Sequence, residues 1–342
     1  MTVYSSAFEE TPHIAVVVPC YQVEKQIEAV VAGIPSFIKT VILVDDAASD
    51  GTPLLVERLA ETQPDRIVAL HHPENRGVGA ATMTGMKHAV SVGADIIVKM
   101  DGDGQMNPDS LPDLLEPIFR DQADFTKGNR FTSLDVLHKM PFMRLIGNAG
   151  LSFLTRLASG YWNILDPTNG FFAIRGELVT RLNERRIHDR FFFESSLLIE
   201  LGLLRAVVRD VPTATFYGEE SSHLSIGTAL REFPLQLFLG FCRRVWLTKF
   251  LLSTGPDLIL GGLGMILFCF GTFFGLYHWI NSIEAGTAAT SGTVMVAALP
   301  CLLGMQMLLS AVLIDIQSVP NAIICHPFGK RLPFVSGLER KT

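Results

Sequence analysis

Charge is scarce in this chain. Only 18% of its 342 residues are Asp, Glu, Lys or Arg, while 48% are apolar, a greasy balance for a soluble protein of this size. Part of the chain is therefore expected in lipid. Positive charge is in deficit: 28 basic residues face 34 acids, for a formal net charge of −6, so nothing global recommends a nucleic-acid partner. Cysteine is sparse and scattered. Cys20, Cys242, Cys269, Cys301 and Cys325 form no CxxC pair and have no His-rich neighbourhood, which argues against a disulfide framework and against a zinc site. The opening stretch MTVYSSAFEETPH carries acids and no apolar core, so it does not read as a signal peptide and the first domain is expected to stay in the cytoplasm.

What is present up to about Val211 is an alternation of short apolar runs with helical stretches. The runs lie at 13–19, 40–46, 66–72, 95–101, 123–129, 170–175 and 206–212. Strands rich in Val and Ile, buried on both faces and separated by helices, predict a mostly parallel sheet in a three-layer α/β domain. Ligands then gather at the carboxyl ends of the strands. Asp45, Asp46, Asp101 and Asp103 all fall at such ends.

Beyond Val211 the composition changes. Pro256 to Ile280 holds one acid at its start and no other charge, and Thr293 to Ile314 holds none. At 1.5 Å per residue each can cross a hydrocarbon core of about 30 Å, which favours a transmembrane hairpin over a pair of core helices. Arg243, Arg244 and Lys249 precede the first span and Lys330, Arg331, Arg340 and Lys341 follow the second, while the intervening loop carries only Glu284. By the excess of positive charge on the flanks, both termini are expected on the cytoplasmic side of a multi-pass inner-membrane protein. Residues 230–250 place Arg and Trp among apolar residues, a composition suited to a helix in the headgroup layer or to domain packing. Residues 141–159 read equally well as core packing or membrane contact. The expected division is a domain over 1–225, juxtamembrane helices over 226–252, the hairpin over 253–318 and a cytoplasmic tail over 319–342.

The segment VKMDGDGQMNPDS sets two carboxylates, Asp101 and Asp103, at the exit of an expected buried strand. Like charges that close repel, and burying them unpaired is costly. An EF-hand loop would need Gly and an acid where Met106 and Pro112 stand, so that reading fails. A plain turn suits Asp and Gly but leaves the paired charges unexplained. A Mg²⁺ or Mn²⁺ site shared with a diphosphate accounts for both, with Gly102 and Gly104 allowing close backbone approach.

The ordered set VVVPCYQVEKQI, VDDAASDGT, NRGVGAA, MDGDGQMNP, KGNRF and DPTNGFFAI resembles the family 2 glycosyltransferases of the GT-A fold, in the branch that includes dolichol-phosphate mannose synthase and bacterial polyprenyl-phosphate glucosyltransferases. The resemblance covers residue 12 to about 225, and a two-span tail also occurs in part of that branch. It implies a GT-A, Rossmann-like sheet domain followed by interfacial helices and a transmembrane hairpin. By the matching positions, Pro19, Tyr21 and Glu24 line a nucleotide pocket and Asp46 contacts the base. Asp101 and Asp103 form the DxD, with Asp103 the expected metal ligand, and Gln105 closes the site. Arg130 is the basic residue near the donor, Asp166 an acid facing the sugar, and Glu194 a further acid.

The segment FYGEESSHLS departs from the branch, which has an Arg and a Lys around Gly-Glu-Ser to contact phosphate. Ser221, Ser222 and His223 stand there, and Arg243 and Arg244, or Arg144 and Arg156, are the basic residues that could replace the missing charge. The expected function is inverting transfer of a hexose from a UDP- or GDP-sugar to polyprenyl phosphate, dependent on Mg²⁺ or Mn²⁺, at the bilayer and compatible with a homo-oligomer. An ionised lipid phosphate is its own nucleophile and needs no strong base. The alternative acceptor, a hydroxyl of a lipid-linked glycan or lipopolysaccharide, would need Asp166 or Glu194 as base. A silent scaffold is a third reading, disfavoured by the intact DxD. A Rossmann dehydrogenase is disfavoured too, because NRGVG follows the third strand and not the first. Asp50 and Thr52 read as a cap for the following helix, and His71, His72 and His88 as structural or solvated.

Overall fold

The computed structural model describes residues 12–130, 142–213, 226–252 and 255–328, with some side chains in 142–148 and 226–232 left aside. The described chain divides into two compact units, one made of residues up to Gly240 together with those from Pro320 onward, the other of Phe241–Val319.

All seven apolar runs of the first unit form strands: β1 (Ile14–Cys20), β2 (Thr40–Asp45), β3 (Ile67–His71), β4 (Ile96–Lys99), β5 (Phe125–Asn129), β6 (Phe172–Arg175) and β7 (Val208–Pro212). They build one sheet in the order β3-β2-β1-β4-β6-β5-β7. Every pairing is parallel except those of β6, which runs antiparallel to both β4 and β5. The reversal matters for the site. The chain enters β6 at the edge where β4 and β5 leave the sheet, so the turn 166–171 joins the strand exits that carry the carboxylates.

Around the sheet lie α1 (Ile27–Gly33), α2 (Thr52–Thr62), α3 (Val78–Ser91), α4 (Leu111–Phe119), α5 (Phe142–Ser159), α6 (Gly176–Arg181) and α7 (Phe193–Leu204). The core between the sheet and its helices is built from Val16, Val18, Ile27, Val98, Leu111 and their neighbours, all nearly inaccessible. Asp50 accepts a hydrogen bond from Thr52 N at the start of α2, and the Thr52 hydroxyl accepts from Val23 N. The N-cap position is Gly51, which makes no side-chain cap, so the expected cap by Asp50 and Thr52 is replaced by these two bonds, which tie the β1 exit to the start of α2. Helix α5 buries its small polar face at Ser152, Thr155 and Ser159 and leaves Phe153 outward.

Residues 320–328 return to this unit as a strap. Asp124, fully buried, accepts from Ile324 N and Cys325 N, and Glu177 accepts from His326 N. Arg175 donates to the His326 carbonyl and stacks on Phe328.

Helix α8 spans Ile226–Arg244 and runs into a π-helical turn at Val245–Leu252. Among its described side chains Leu235, Phe238 and Leu239 are more than half exposed, as are Trp246 and Phe250 in the π-helical turn. In the second unit, α9 (Pro256–Ala285) and α10 (Ser291–Gln317) are long and apolar enough to cross a membrane. They are not core helices, since large side chains such as Ile266, Phe273, Trp279 and Leu302 stand exposed. The two backbones approach closely at Gly264, Gly271 and Gly304, where an added Cβ would strike the opposite helix, the small-residue packing common between helices in lipid. Arg244 donates both terminal nitrogens to Asp315 at 2.9 Å, and Lys249 meets Asp257 at 2.6 Å.

Candidate active site

The exits of β4, β5 and the turn into β6 converge with the start of α7 on a cavity of about 130 Å³, walled by Asp101, Asp103, Gln105, Arg130 and Glu194 among others. The sequence expectation brought these five together, and the structure does as well. Asp103 accepts from Gln105 N at 3.0 Å, a bond made possible by Gly104 at φ +75°, a conformation that favours glycine. Gly170 lets the opposite wall close in, because a side chain there would stand 2.8 Å from Asp101 Oδ2.

Asp166 behaves differently from expectation. It is fully buried and takes no part in the cavity wall. Its carboxylate accepts from Arg130 Nε at 2.7 Å, Nη2 at 3.1 Å and the Arg130 amide at 3.3 Å. This two-pronged pairing fixes the guanidinium plane, so Asp166 orients Arg130, whose side chain remains 31% exposed toward the cavity.

Two buried lysines complete the electrostatics. Register places Lys99 of β4 and Lys127 of β5 on either side of Phe172 in β6, and residues directly opposite in a sheet share a face. That face is the one covered by α7, since Phe172 packs against Phe193. Lys99 Nζ pairs with Asp101 and lies 3.9 Å from Glu194 Oε1. Lys127 Nζ donates to the Asn169 carbonyl. Burial opposes the charge on Lys99, but Asp101 and Glu194 outweigh it and hold the ammonium above the ordinary lysine value. For Lys127 burial wins over Glu194 and Asp166, and its pKa falls to about 8. Burial likewise pushes the Glu194 carboxyl up, against the pull of Lys99 and Lys127. Sequence reasoning missed both lysines. The signal was available: each is the lone charge inside its strand, IIVK and FTKGN.

Behind the site, Asp210 has one oxygen bonded to Leu165 N and Asn129 Nδ2 and the other buried without a partner. Its burial raises its pKa to about 6.

The remaining expected residues stand outside this cavity wall. Pro19 is buried at the end of β1, Tyr21 is exposed just beyond it, and Glu24 accepts from Gly51 N at 3.0 Å. Asp46 is buried, bonded to His72 Nδ1 at 2.7 Å and accepting from Arg76 N and Gly77 N at 2.9 and 2.7 Å. It holds the loop ahead of α3, and His72 is buried between Asp46 and Thr84, bonded to both. The next amides of α3, Gly79 N and Ala80 N, donate to the Asp189 carbonyl. The helix N-terminus at NRGVG is thus filled by protein acceptors, which is the physical reason it is no dinucleotide cradle. Arg244 is committed to Asp315 within the second unit, and Arg156 donates to the Leu165 carbonyl. Arg243 is half-buried. Ser221, Ser222 and His223 lie outside the described residues, as does the Arg144 side chain.

The donor set fits a hard cation. Asp101 and Asp103 supply carboxylate oxygens at one cavity, and no cluster of three His, Cys, Asp or Glu occurs among the described residues. Two carboxylates with the rest of the shell left to phosphate and water is the usual protein share for Mg²⁺.

Comparison with known proteins gives this geometry a context. Residues 15–182 match the model of Glycosyl transferase family 2. The UDP-N-acetylglucosamine–dolichyl-phosphate N-acetylglucosaminyltransferase of Methanococcus voltae is 32% identical over 61% of this chain and 87% of that protein. The polyprenol monophosphomannose synthase of Mycolicibacterium smegmatis is 29% identical over 51% of this chain and 65% of that one. Among solved structures, glucosyl-3-phosphoglycerate synthase of Mycobacterium tuberculosis, with Mn²⁺, UDP and glucosyl-3-phosphoglycerate, aligns with a TM-score of 0.48 at 20% identity, over 68% of this chain and 80% of that one. With a relative this similar over most of its length, and with the family's motifs gathered at one set of strand ends, the chain is a glycosyltransferase belonging to Glycosyl transferase family 2.

Proposed function

We propose that this enzyme transfers a hexose from a nucleotide-diphosphate sugar to polyprenyl phosphate at the cytoplasmic face of a membrane. The observation that carries the reading is the joining, in one chain, of the Asp101, Asp103, Gln105 and Arg130 cavity to two apolar exposed helices. Relatives named for transfer to dolichyl or polyprenyl phosphate support the same acceptor.

Asp103, with Asp101, would hold Mg²⁺ or Mn²⁺, and the cation when bound supplies charge neutralisation for a departing diphosphate. The chain's own residues do the rest. Arg130, aimed by Asp166, places a permanent positive charge on the wall where the diphosphate would lie. Pro19, Tyr21, Glu24 and Asp46 are assigned to the nucleoside side, Asp46 acting through the loop it holds. An oxygen of the acceptor phosphate attacks the anomeric carbon as the bond to the diphosphate breaks, the nucleoside diphosphate leaving with the electron pair. Attack from the opposite face inverts that centre. The acceptor phosphate's second pKa is near 6, so it arrives ionised and no base is needed. Ser221, Ser222, His223 and Arg243 remain the proposed acceptor-phosphate contacts.

The membrane reading places α9 and α10 as a two-span hairpin with both flanks cytoplasmic, and the outward apolar residues of α8 in the headgroup layer. A hydroxyl acceptor stays as the second reading for one reason: Glu194 lines the cavity with a raised pKa, as a base near neutrality would. Incubating detergent-purified protein with polyprenyl phosphate, Mg²⁺ or Mn²⁺ and a panel of nucleotide sugars, followed by mass spectrometry of the organic extract, tests the proposal. A sugar-phosphate diester of the polyprenol is expected. Equal transfer to the dephosphorylated alcohol would end it.

A further inference from the structure

The ion pair between Lys99 and Asp101 lies inside the cavity's foundation. Lys99 is 1% exposed, and its Nζ stands between an acid of the DxD and Glu194, 3.9 Å from the latter. Gly170 presses on the pair so closely that any side chain there would collide with Lys99 Nζ and Asp101 Oδ2. One ammonium therefore bridges the acid on the donor side and the acid on the far wall.

We propose that Lys99 is a positioning residue that fixes the Asp101 and Glu194 carboxylates at one cavity and sets how strongly the site takes a divalent cation before the nucleotide sugar arrives. The inference rests on the metal-dependent reading above. A cation approaching Asp101 and Asp103 must bind beside a fixed positive charge already neutralising one of them, and Coulomb repulsion at such range in a partly buried site is large. The diphosphate brings the compensating negative charge. Lys99 thus makes the cation and the nucleotide sugar mutually dependent ligands, and by linkage each strengthens the other. Removing the ammonium moves two observables in opposite directions: the free cation binds more tightly, and turnover falls because two like-charged carboxylates lose the group that holds them together.

The test uses full-length protein in detergent and Mn²⁺ alone, with free Mn²⁺ read by electron paramagnetic resonance. Lys99→Met should tighten Mn²⁺ binding by at least about ten-fold while lowering kcat. Adding Glu194→Gln restores the charge count and should return Mn²⁺ affinity toward that of the wild type. A purely structural role gives weaker Mn²⁺ binding with slower turnover. Unchanged or weakened Mn²⁺ binding in a folded Lys99→Met protein overturns the proposal. Should that variant fail to fold, Glu194→Gln alone decides: it leaves Lys99 to Asp101 and should weaken Mn²⁺ binding, and an unchanged affinity overturns the proposal. A wild type without affinity for Mn²⁺ would overturn the metal site itself, an outcome distinct from either.

Discussion

Asp166→Asn separates an orienting acid from a catalytic base. The carboxylate makes three hydrogen bonds to Arg130, two of them to the guanidinium. An Asn offers one acceptor oxygen and turns an NH₂ toward the other guanidinium nitrogen, so one charge-assisted bond is lost and a donor faces a donor. Bonds to charged groups contribute roughly 1.5–3 kcal/mol each. With Arg130 about one-third exposed, a net stability loss of about 2 kcal/mol follows, or a drop of roughly 4–8 °C in Tm for a unit of this size. The guanidinium also loses its aim. Removing one well-placed charge-stabilising group costs about 10²- to 10³-fold in rate, and a misdirected Arg130 should fall at the lower end. Two assays check the reasoning: thermal unfolding of the purified protein, and kcat/KM against pH for Asp166→Asn, Arg130→Ala and the double variant. Because the two residues act as one unit, the double variant should be no slower than Arg130→Ala alone. Additive losses, or a deficit in Asp166→Asn that disappears as pH is raised, would refute the orienting role and make Asp166 a base.

Asp103→Asn keeps an acceptor for Gln105 N but removes a metal-binding charge, so transfer should fall by at least about 10³-fold with Tm held within a few degrees; full activity in excess chelator would sink the metal role. Asp210, with its pKa raised to about 6, is protonated more readily folded than unfolded, so the stability it contributes is present below pH 3.8 and is lost as pH rises through 6. Urea midpoints of wild type and Asp210→Asn at pH 4.5 and 7 should therefore diverge in the variant's favour at the higher pH, by up to about 3 kcal/mol; parallel midpoints contradict the burial of that carboxyl. A cysteine placed at Ala288, in the exposed turn between α9 and α10, should react with impermeant reagents from outside intact cells, and labelling from the cytoplasmic side alone reverses the topology.

The strands were legible because short runs, Val- and Ile-rich in β1 to β4, alternate with helical stretches, while β5 (FTKGN) and β6 (FAIR) carry that signal only weakly. Asp101 and Asp103 were legible as paired acids at a strand end, where an α/β sheet gathers its ligands, whereas Gln105 and Arg130 were legible only through the resemblance of their motifs to the family. Direction was not legible, because the four residues of β6 carry no mark of running antiparallel, and that reversal is what brings Asp166 and Gly170 to the site. Partnerships across long separations were equally silent. Nothing local says that Arg244 binds Asp315, 71 residues on, or that Asp46 is bonded to two loop amides. Lys99 and Lys127 were readable in principle, as cations in strands with no exposed face.

The strap at 320–328 makes the catalytic unit discontinuous in the chain, with the apolar hairpin as an insertion between its two pieces. Synthesis runs from the N-terminus, so the sheet emerges first, the hairpin next, and only then the residues that cover Asp124, Arg175 and Glu177. Until Cys325 and Phe328 arrive, Asp124 lacks two of its backbone donors and Arg175 lacks the ring stacked on it. The nascent enzyme therefore reaches its final packing only after both helices of the hairpin have been made. A soluble fragment ended ahead of α9 would leave out part of its own core.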